Sequence, residues 1–324
     1  METIKTTCLI NNFNYKDYVC EAIESALSQT HPFDEIIIVD DASTDGSIAT
    51  LYKLYGENTN VKIIIHDQNQ GQLGTVTTGF LHSTGDIIFF LDSDDFYHPQ
   101  YLEMALNIYK EYPSYGFLHC QMGIFNTSKN NYQPPSQTQI SNYKNYLRDC
   151  GYSIVLAMEK HRFVGSPTSG NSICRKHLEE ILPCTCVDNN RMYADLCFVF
   201  ASSLLGVKKL LINLPLVGYR MHGKNDSKTK ANVDFTFYEQ QIALSRLITF
   251  YSNKMNYSEL QLIRFAPFEF KTADPTWNLF FDYLMIMLQS SLSVPSSSRW
   301  QWSKFHGLKI MLKHMLTRHK HSDL

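Results

Sequence analysis

Three carboxylates stand within four positions at Asp92, Asp94 and Asp95, directly after the apolar run IIFFL (87–91). Like charges that close repel, so either water or a cation must offset the repulsion. Oxygen ligands in a D-x-D spacing suit Mg2+ or Mn2+, which takes one or two protein carboxylates and fills its other positions with water and phosphate oxygens. The chemistry this implies is a divalent metal on a diphosphate. The plainer alternative is a set of acids ahead of a helix opening at Pro99, where the macrodipole favours them. A second acidic pair, Asp40 and Asp41, follows EIIIV (35–39). A carboxylate there can accept hydrogen bonds from a nucleobase N–H or a ribose hydroxyl, or it can serve the turn, with Ser43 or Asp45 capping the next helix. His66 and Asp67 end a third apolar run and could approach the same base or ribose.

The elements that must position these residues alternate. TTCLIN (6–11), EIIIVD (35–40), VKIIIH (61–66) and DIIFFLD (86–92) read as strands. Between and after them, segments 16–29, 45–56, 71–85 and 99–113 read as helices, from apolar residues at helical spacing and a Pro at the start of the last. A β-α-β-α alternation argues for a mostly parallel sheet with helices on both faces. Ligands of such sheets bind outside the carboxyl ends of the strands. The polar clusters Asn11–Asn14, Asp40–Asp41, His66–Asp67 and Asp92–Asp95 should therefore share one edge.

Further along, residues 126–145 are polar and broken by Pro, the pattern of a mobile surface loop. Segment 165–183 reads as a loop, a short strand and a helix, and RMYADLCFVFASSLLG (191–206) as a helix with one acid, Asp195, near its start. VKKLLINLPLVGYRMHGKNDS (207–227) is one strand or two running into a basic loop, and from about Asn232 the pattern is helical. The last segment, WQWSKFHGLKIMLKHMLTRH (300–319), mixes aromatics and Leu/Met with bases, as an interfacial helix or a packed one would.

Composition sets the bounds. The chain has 324 residues, 44% hydrophobic and 19% charged, with a net charge of −2. That is globular, long enough for one large domain or two ordinary ones, and offers no field for nucleic acid. Eight cysteines without a CxxC pair read as reduced thiols. With neither a signal-like N-terminus nor a run of about 20 apolar residues, the chain reads as cytoplasmic, at most peripheral at the inner face of a membrane.

Seven stretches in order carry a resemblance: INNFN (10–14), SALSQTHPFDEIIIVDDASTDGS (25–47), NQGQ (69–72), GDIIFFLDSDD (85–95), SPTSGN (166–171), ADLCF (194–198) and YRMHGKNDS (219–227). Together they resemble the family 2 glycosyltransferases of GT-A fold, over residues 3–228. The resemblance implies an α/β catalytic domain at 1–228, with a nucleotide-sugar half at about 1–120 and an acceptor half at about 121–228. A helical C-terminal region at 229–324 would follow. It implies a metal-dependent, inverting transfer of a sugar from a nucleotide diphosphate to a hydroxyl of a glycan, lipid-linked or other cell-surface acceptor, with Mn2+ or Mg2+. By position, Phe13 stacks on the base, with Asn11 and Asp41 contacting it. Asp94 faces ribose and metal, Asp95 is a metal ligand and Asp92 a supporting one. Asp195 is the general base, and Arg220 and His222 meet the metal or the diphosphate. Ser169 and Asn171 could line the acceptor site.

Departures from the family pattern are Phe13 for Tyr, Asn11 for Pro, Ala194 for Glu, and Val76–Thr77 where the family often has Arg-Asn. The last leaves Arg220, Lys224 or Lys228 as substitutes on the diphosphate. A UDP-sugar fits Phe13 and Asp41 best, with GDP and dTDP open. Three other readings compete. A sugar nucleotidyltransferase needs a Gly-rich phosphate loop after the first strand, and NNFNYKDY lacks one. A non-catalytic nucleotide-sugar-binding or scaffold protein predicts loss of the acids that are present. A hydride-transfer enzyme needs G-x-G-x-x-G after Ile10. Peripheral membrane contact or self-association through the C-terminal helices stays open.

Overall fold

Apolar runs that are buried on both faces form the centre of the molecule, as their lack of polar alternation requires. The computed structural model describes residues 4–126, 131–188, 192–223, 233–257, 259–289 and 298–319. Strands β1 (Thr6–Asn12), β2 (Glu35–Asp40), β3 (Val61–Ile65) and β4 (Ile87–Asp92) pair in parallel in the order β3-β2-β1-β4. Helices α1 (Lys16–Leu27), α2 (Ser47–Tyr55) and α3 (Gly71–Leu81) connect them, and α4 (Tyr101–Glu111) follows the two-residue strand β5 (Phe96–Tyr97). Odd and even strand positions feed opposite layers. Cys8, Ile36 and Phe89 pack under α1, α2 and α4, while Leu9, Ile37 and Phe90 pack under α3. The small residues of α3 have a packing reason, since a side chain at Gly79 would collide with Leu9.

Beyond β4 the sheet turns mixed. It continues β4-β8-β6-β9-β5, where β6 is Phe117–Asn126, β8 is Asn171–Cys174 and β9 is Lys209–Met221, with β7 (Leu147–Gly151) on β9. β8 runs antiparallel to both β4 and β6, and β6 pairs in parallel with β9. The possible pair of strands after residue 207 is thus one long strand. Helix α7 (Arg175–Leu178) is a single turn, and α8 (Ala194–Leu204) lies on the α3 side, where Phe198 stacks on Phe90 at 4.4 Å between ring centroids.

The expected loop at 126–145 is amended. Within its described part lie α5 (Gln137–Ser141) and a 3-10 turn at Tyr143–Tyr146. Ser136 and Gln139 form a reciprocal capping box that starts α5. Tyr132 is tied down too, its hydroxyl donating to the Pro215 carbonyl at 2.9 Å.

The C-terminal region is helical as expected: α9 (Val233–Lys254), α10 (Glu259–Phe270), α11 (Trp277–Gln289) and α12 (Ser298–His319). α10, α11 and α12 share a core with α6 (Ile154–Lys160). Buried Glu269 on α10 joins the two parts. Its carboxylate accepts from the backbone N–H of Ile154 at 2.9 Å and of Val155 at 3.0 Å, the open N-terminal donors of α6, and from the Tyr283 hydroxyl at 2.7 Å. Replacing Glu269 by Ala strands these buried donors and should cost about 2–3 kcal/mol. Thermal unfolding read by circular dichroism checks this; an unchanged midpoint would refute the capping role.

Candidate active site

All four polar clusters do meet at the carboxyl edge of the parallel strands. Asn12 Nδ2 donates to Asp40 Oδ2 at 2.6 Å, linking the ends of β1 and β2. Asp40 Oδ1 also holds the Ser43 N–H at 2.7 Å across Ala42, whose φ of 61° is costly for a residue with a Cβ. Ser43 Oγ accepts the Asn14 N–H, and Asp45 rather than Ser43 engages the first turn of α2, through the Ser47 N–H at 2.9 Å. The β1–α1 and β2–α2 loops are therefore stitched together, with Phe13 left 44% exposed beside them.

At the end of β4, Asp92, Asp94 and Asp95 offer oxygens that all lie within 4.8 Å of one another. Asp94 and Asp95 are buried and Asp92 half-buried. Burial, then the charge of Asp94, pushes the Asp92 carboxyl up to about 7, against hydrogen bonds from Asn11 and Gln72. Burial and the charges of Asp94 and Asp92 hold Asp95 well above the usual carboxylate range, opposed by the Ser169 hydroxyl and the Arg220 N–H. Ionising all three carboxylates here is unfavourable unless a cation joins them. The donor set is all hard oxygen. Asn11, opposite Asp92 in the sheet register, adds a buried Oδ1 with no hydrogen-bond partner among the described residues. This set fits Mg2+ or Mn2+ and does not resemble a zinc or copper site.

Asp195 stands in the first turn of α8, with Oδ1 accepting the Leu196 N–H at 2.7 Å. Burial pushes its carboxyl up to about 6 against that hydrogen bond and one from its own N–H, and its charge reaches Asp92. A carboxylate with that affinity for protons, beside a cation-ready acidic cluster, is suited to general-base work near neutral pH.

Comparison with known proteins agrees with this geometry. The model of the Glycosyl transferase family 2 matches residues 7–165. An uncharacterized glycosyltransferase of Nostoc sp. is 33% identical over 230 residues, 71% of this chain and 68% of that protein. This chain belongs to glycosyltransferase family 2. Chondroitin synthase of Pasteurella multocida is 30% identical over 151 residues, 47% of this chain but only 15% of that much longer protein. Among solved structures, S. aureus TarS determined with UDP-GlcNAc covers 98% of this chain and 92% of its own, with a TM-score of 0.58 and 15% identity. That likeness is one of fold.

Several residues of the glycosyltransferase take places the sequence did not indicate. Arg220 was expected at the metal or the diphosphate, but its side chain is 3% exposed. Its Nη2 pairs with Glu21 at 2.5 Å, its Nε donates to the Asp94 carbonyl at 2.9 Å, and its guanidinium lies between the rings of Tyr18 and Phe125. The backbone N–H of Arg220 donates to Asp95 Oδ1 at 3.0 Å. Arg220 thus holds the acidic segment from behind. Lys224 and Lys228 lie outside the described residues. His222 does reach the cluster, with Nε2 at 2.9 Å from Asp94 Oδ2 and its ring stacked on Tyr18.

Asp41 is also turned inward. Its carboxylate accepts from the Gln70 and Gly71 N–H groups at 2.8 Å each and pairs with His66 Nδ1 at 2.7 Å. Asp41 therefore braces the start of α3, where Gly71 has a φ of 75° that favours glycine. His66 spends its other nitrogen on Thr78 at 2.9 Å, so the expectation that it approaches a base does not hold; Asp67 is exposed. Asn171 is fully buried and closes its own turn, with Nδ2 donating to the Pro167 carbonyl and Oδ1 accepting the Ser166 N–H. It does not line an acceptor site. Ser169 belongs to the acidic cluster, with Oγ donating to Asp95 Oδ2 at 2.6 Å and accepting the Asp92 N–H at 3.0 Å. Val76 and Thr77 are buried, so their side chains are core rather than diphosphate contacts.

Gln72 is the residue sequence reasoning missed. Its Nε2 donates to Asp92 Oδ1 at 2.8 Å and Thr168 Oγ1 at 3.1 Å, and its Oε1 accepts the Ala194 N–H at 3.1 Å. One amide therefore spans the acidic cluster and the start of the helix bearing Asp195. Its place in NQGQ, one residue after a glycine that opens a helix, was the available signal.

Proposed function

We propose that the enzyme is a metal-dependent, inverting glycosyltransferase that uses a UDP-sugar and transfers to a hydroxyl of a glycan or lipid-linked acceptor. The observation that carries this reading is the cluster of three crowded carboxylates, with Asp195 within charge range of one of them. In support, TarS, of like fold, has been crystallised with UDP and with UDP-GlcNAc.

In this reading Phe13 stacks on the base at the β1–α1 loop, and Asp40 and Asp41 act through the loops they brace. Asp92, Asp94 and Asp95 would hold Mn2+ or Mg2+, with His222 beside Asp94. When bound, the metal would supply positive charge against the diphosphate and its developing charge. The acceptor oxygen attacks the anomeric carbon as its proton passes to a carboxylate oxygen of Asp195. The bond from that carbon to the diphosphate oxygen breaks, and the electron pair leaves with the nucleotide. Attack opposite the leaving group inverts the centre. In this reading residues 1–228 are the catalytic domain, with the donor in about 1–120 and the acceptor in about 121–228, followed by a helical C-terminal region at 229–324.

Calorimetric titration with UDP, in Mn2+ and then in EDTA, tests the donor assignment. Binding that requires Mn2+ is expected. No heat in either condition would refute UDP, and GDP and dTDP would follow. Gln72→Ala should lower kcat about 10–100-fold, because misplacing a catalytic group by an ångström costs that much. A loss confined to KM would argue against a role for Gln72 in aligning Asp195.

A further inference from the structure

We propose that the outer faces of α11 and α12 form a docking surface for an anionic lipid bilayer. Helix α11 is apolar almost all round. Phe280, Tyr283, Ile286 and Met287 are buried in the core shared with α10 and α12. Trp277, Phe281, Met285 and Leu288, at 52%, 54%, 45% and 51% exposure, form a second stripe at spacings of four, four and three residues. A helix apolar on both sides is ordinarily enclosed, and an exposed contiguous stripe of large apolar side chains marks an interaction surface.

Charge selects the partner. The chain as a whole carries −2, yet Ser298–His319 holds Arg299, Lys304, Lys309, Lys313 and Arg318 with no Asp or Glu. α12 turns Gly307, Met311 and Met315 inward. Gly307 permits close contact, since a Cβ there would lie 2.7 Å from Pro267 and 2.8 Å from Met287. On the opposite arc Lys309 and Lys313 are exposed alongside Leu312 and Leu316. Bases interleaved with aliphatic side chains suit a surface of anionic headgroups over hydrocarbon. A symmetric dimer through α12 would bring together two helices that both carry bases and no acid, which disfavours a second chain as the occupant. No described helix is long and apolar enough to cross a membrane, so the mode is contact in the interface plane. None of this depends on the donor or the metal.

The test is co-sedimentation of the full chain with vesicles of phosphatidylcholine alone and with phosphatidylglycerol added. Binding to the anionic vesicles only is expected, weakening as salt rises. Lys309→Glu with Lys313→Glu should lower partitioning about tenfold or more. Phe281→Ser with Leu288→Ser should lower it at every salt concentration. All four positions are exposed, so melting temperatures should stay unchanged and a loss of binding cannot be put down to unfolding. Equal partitioning into both vesicle types would overturn the proposal, as would no binding at all. Self-association in the ultracentrifuge that Phe281→Ser abolishes would also overturn it and assign the stripe to a second copy.

Discussion

Asp95→Asn should lower kcat/KM by about 10³ or more and abolish metal-dependent UDP binding, because a catalytic metal contributes several kcal/mol to the transition state. The substitution keeps shape but removes a charge. In the native chain Asp95 accepts from the Ser169 hydroxyl and the Arg220 N–H, and an amide can satisfy only one of these with its oxygen. That loss is worth about 1 kcal/mol. Against it stands relief of the repulsion from Asp92 and Asp94 that, after burial, holds the Asp95 carboxyl high. The metal-free variant should therefore melt within a few degrees of the metal-free native enzyme, and Mn2+ should raise the midpoint only of the native one. Scanning calorimetry with and without EDTA reads both. Activity within tenfold of native, or equal stabilisation of both proteins by Mn2+, would remove Asp95 from the metal site.

Asp195→Asn should reduce kcat by about 10²–10⁴, the usual worth of a positioned base, while UDP binding stays native. The pH profile gives an independent reading. A base acts only when ionised, and burial pushes the Asp195 carboxyl up to about 6. Activity of the metal-saturated native enzyme should thus fall as pH is lowered through about 6. The variant's residual activity should lack that limb. Saturation with metal matters, because Asp92 in the metal-free protein takes up protons near pH 7 and would blur the profile. An acid limb that persists unchanged in the variant would assign it to another group and deny Asp195 its role.

Much of this sheet edge was legible in the sequence. Four apolar runs separated by amphipathic segments dictate parallel strands, and parallel strands put their carboxyl ends on one side. Asn12, Asp40 and Asp92 had to converge once the register followed. The capping box at Ser136 and Gln139 was equally local, but the prolines and polar residues around it suggested an unstructured loop. Helical period also announced α9, α11 and α12 without saying which faces would stay exposed.

What the sequence determined by itself was therefore the periodicity, the turn chemistry and the acids waiting at the strand ends, all set by neighbours a few positions apart. Tertiary structure decided which charges are spent. Arg220 is 125 residues from Asp95, and Gln72 is 122 from Ala194, yet each pair shares a hydrogen bond. Arg220 looked like a phosphate ligand and became a brace; Asp41 looked like a base contact and became the anchor of α3. Gln72 carried no charge to attract notice, and packing made it the link between the acidic cluster and the start of the helix bearing Asp195. The reason is desolvation: a polar group pressed into the interior must take whatever partner the fold brings to it, and that partner is chosen by packing across the sheet rather than by sequence nearby.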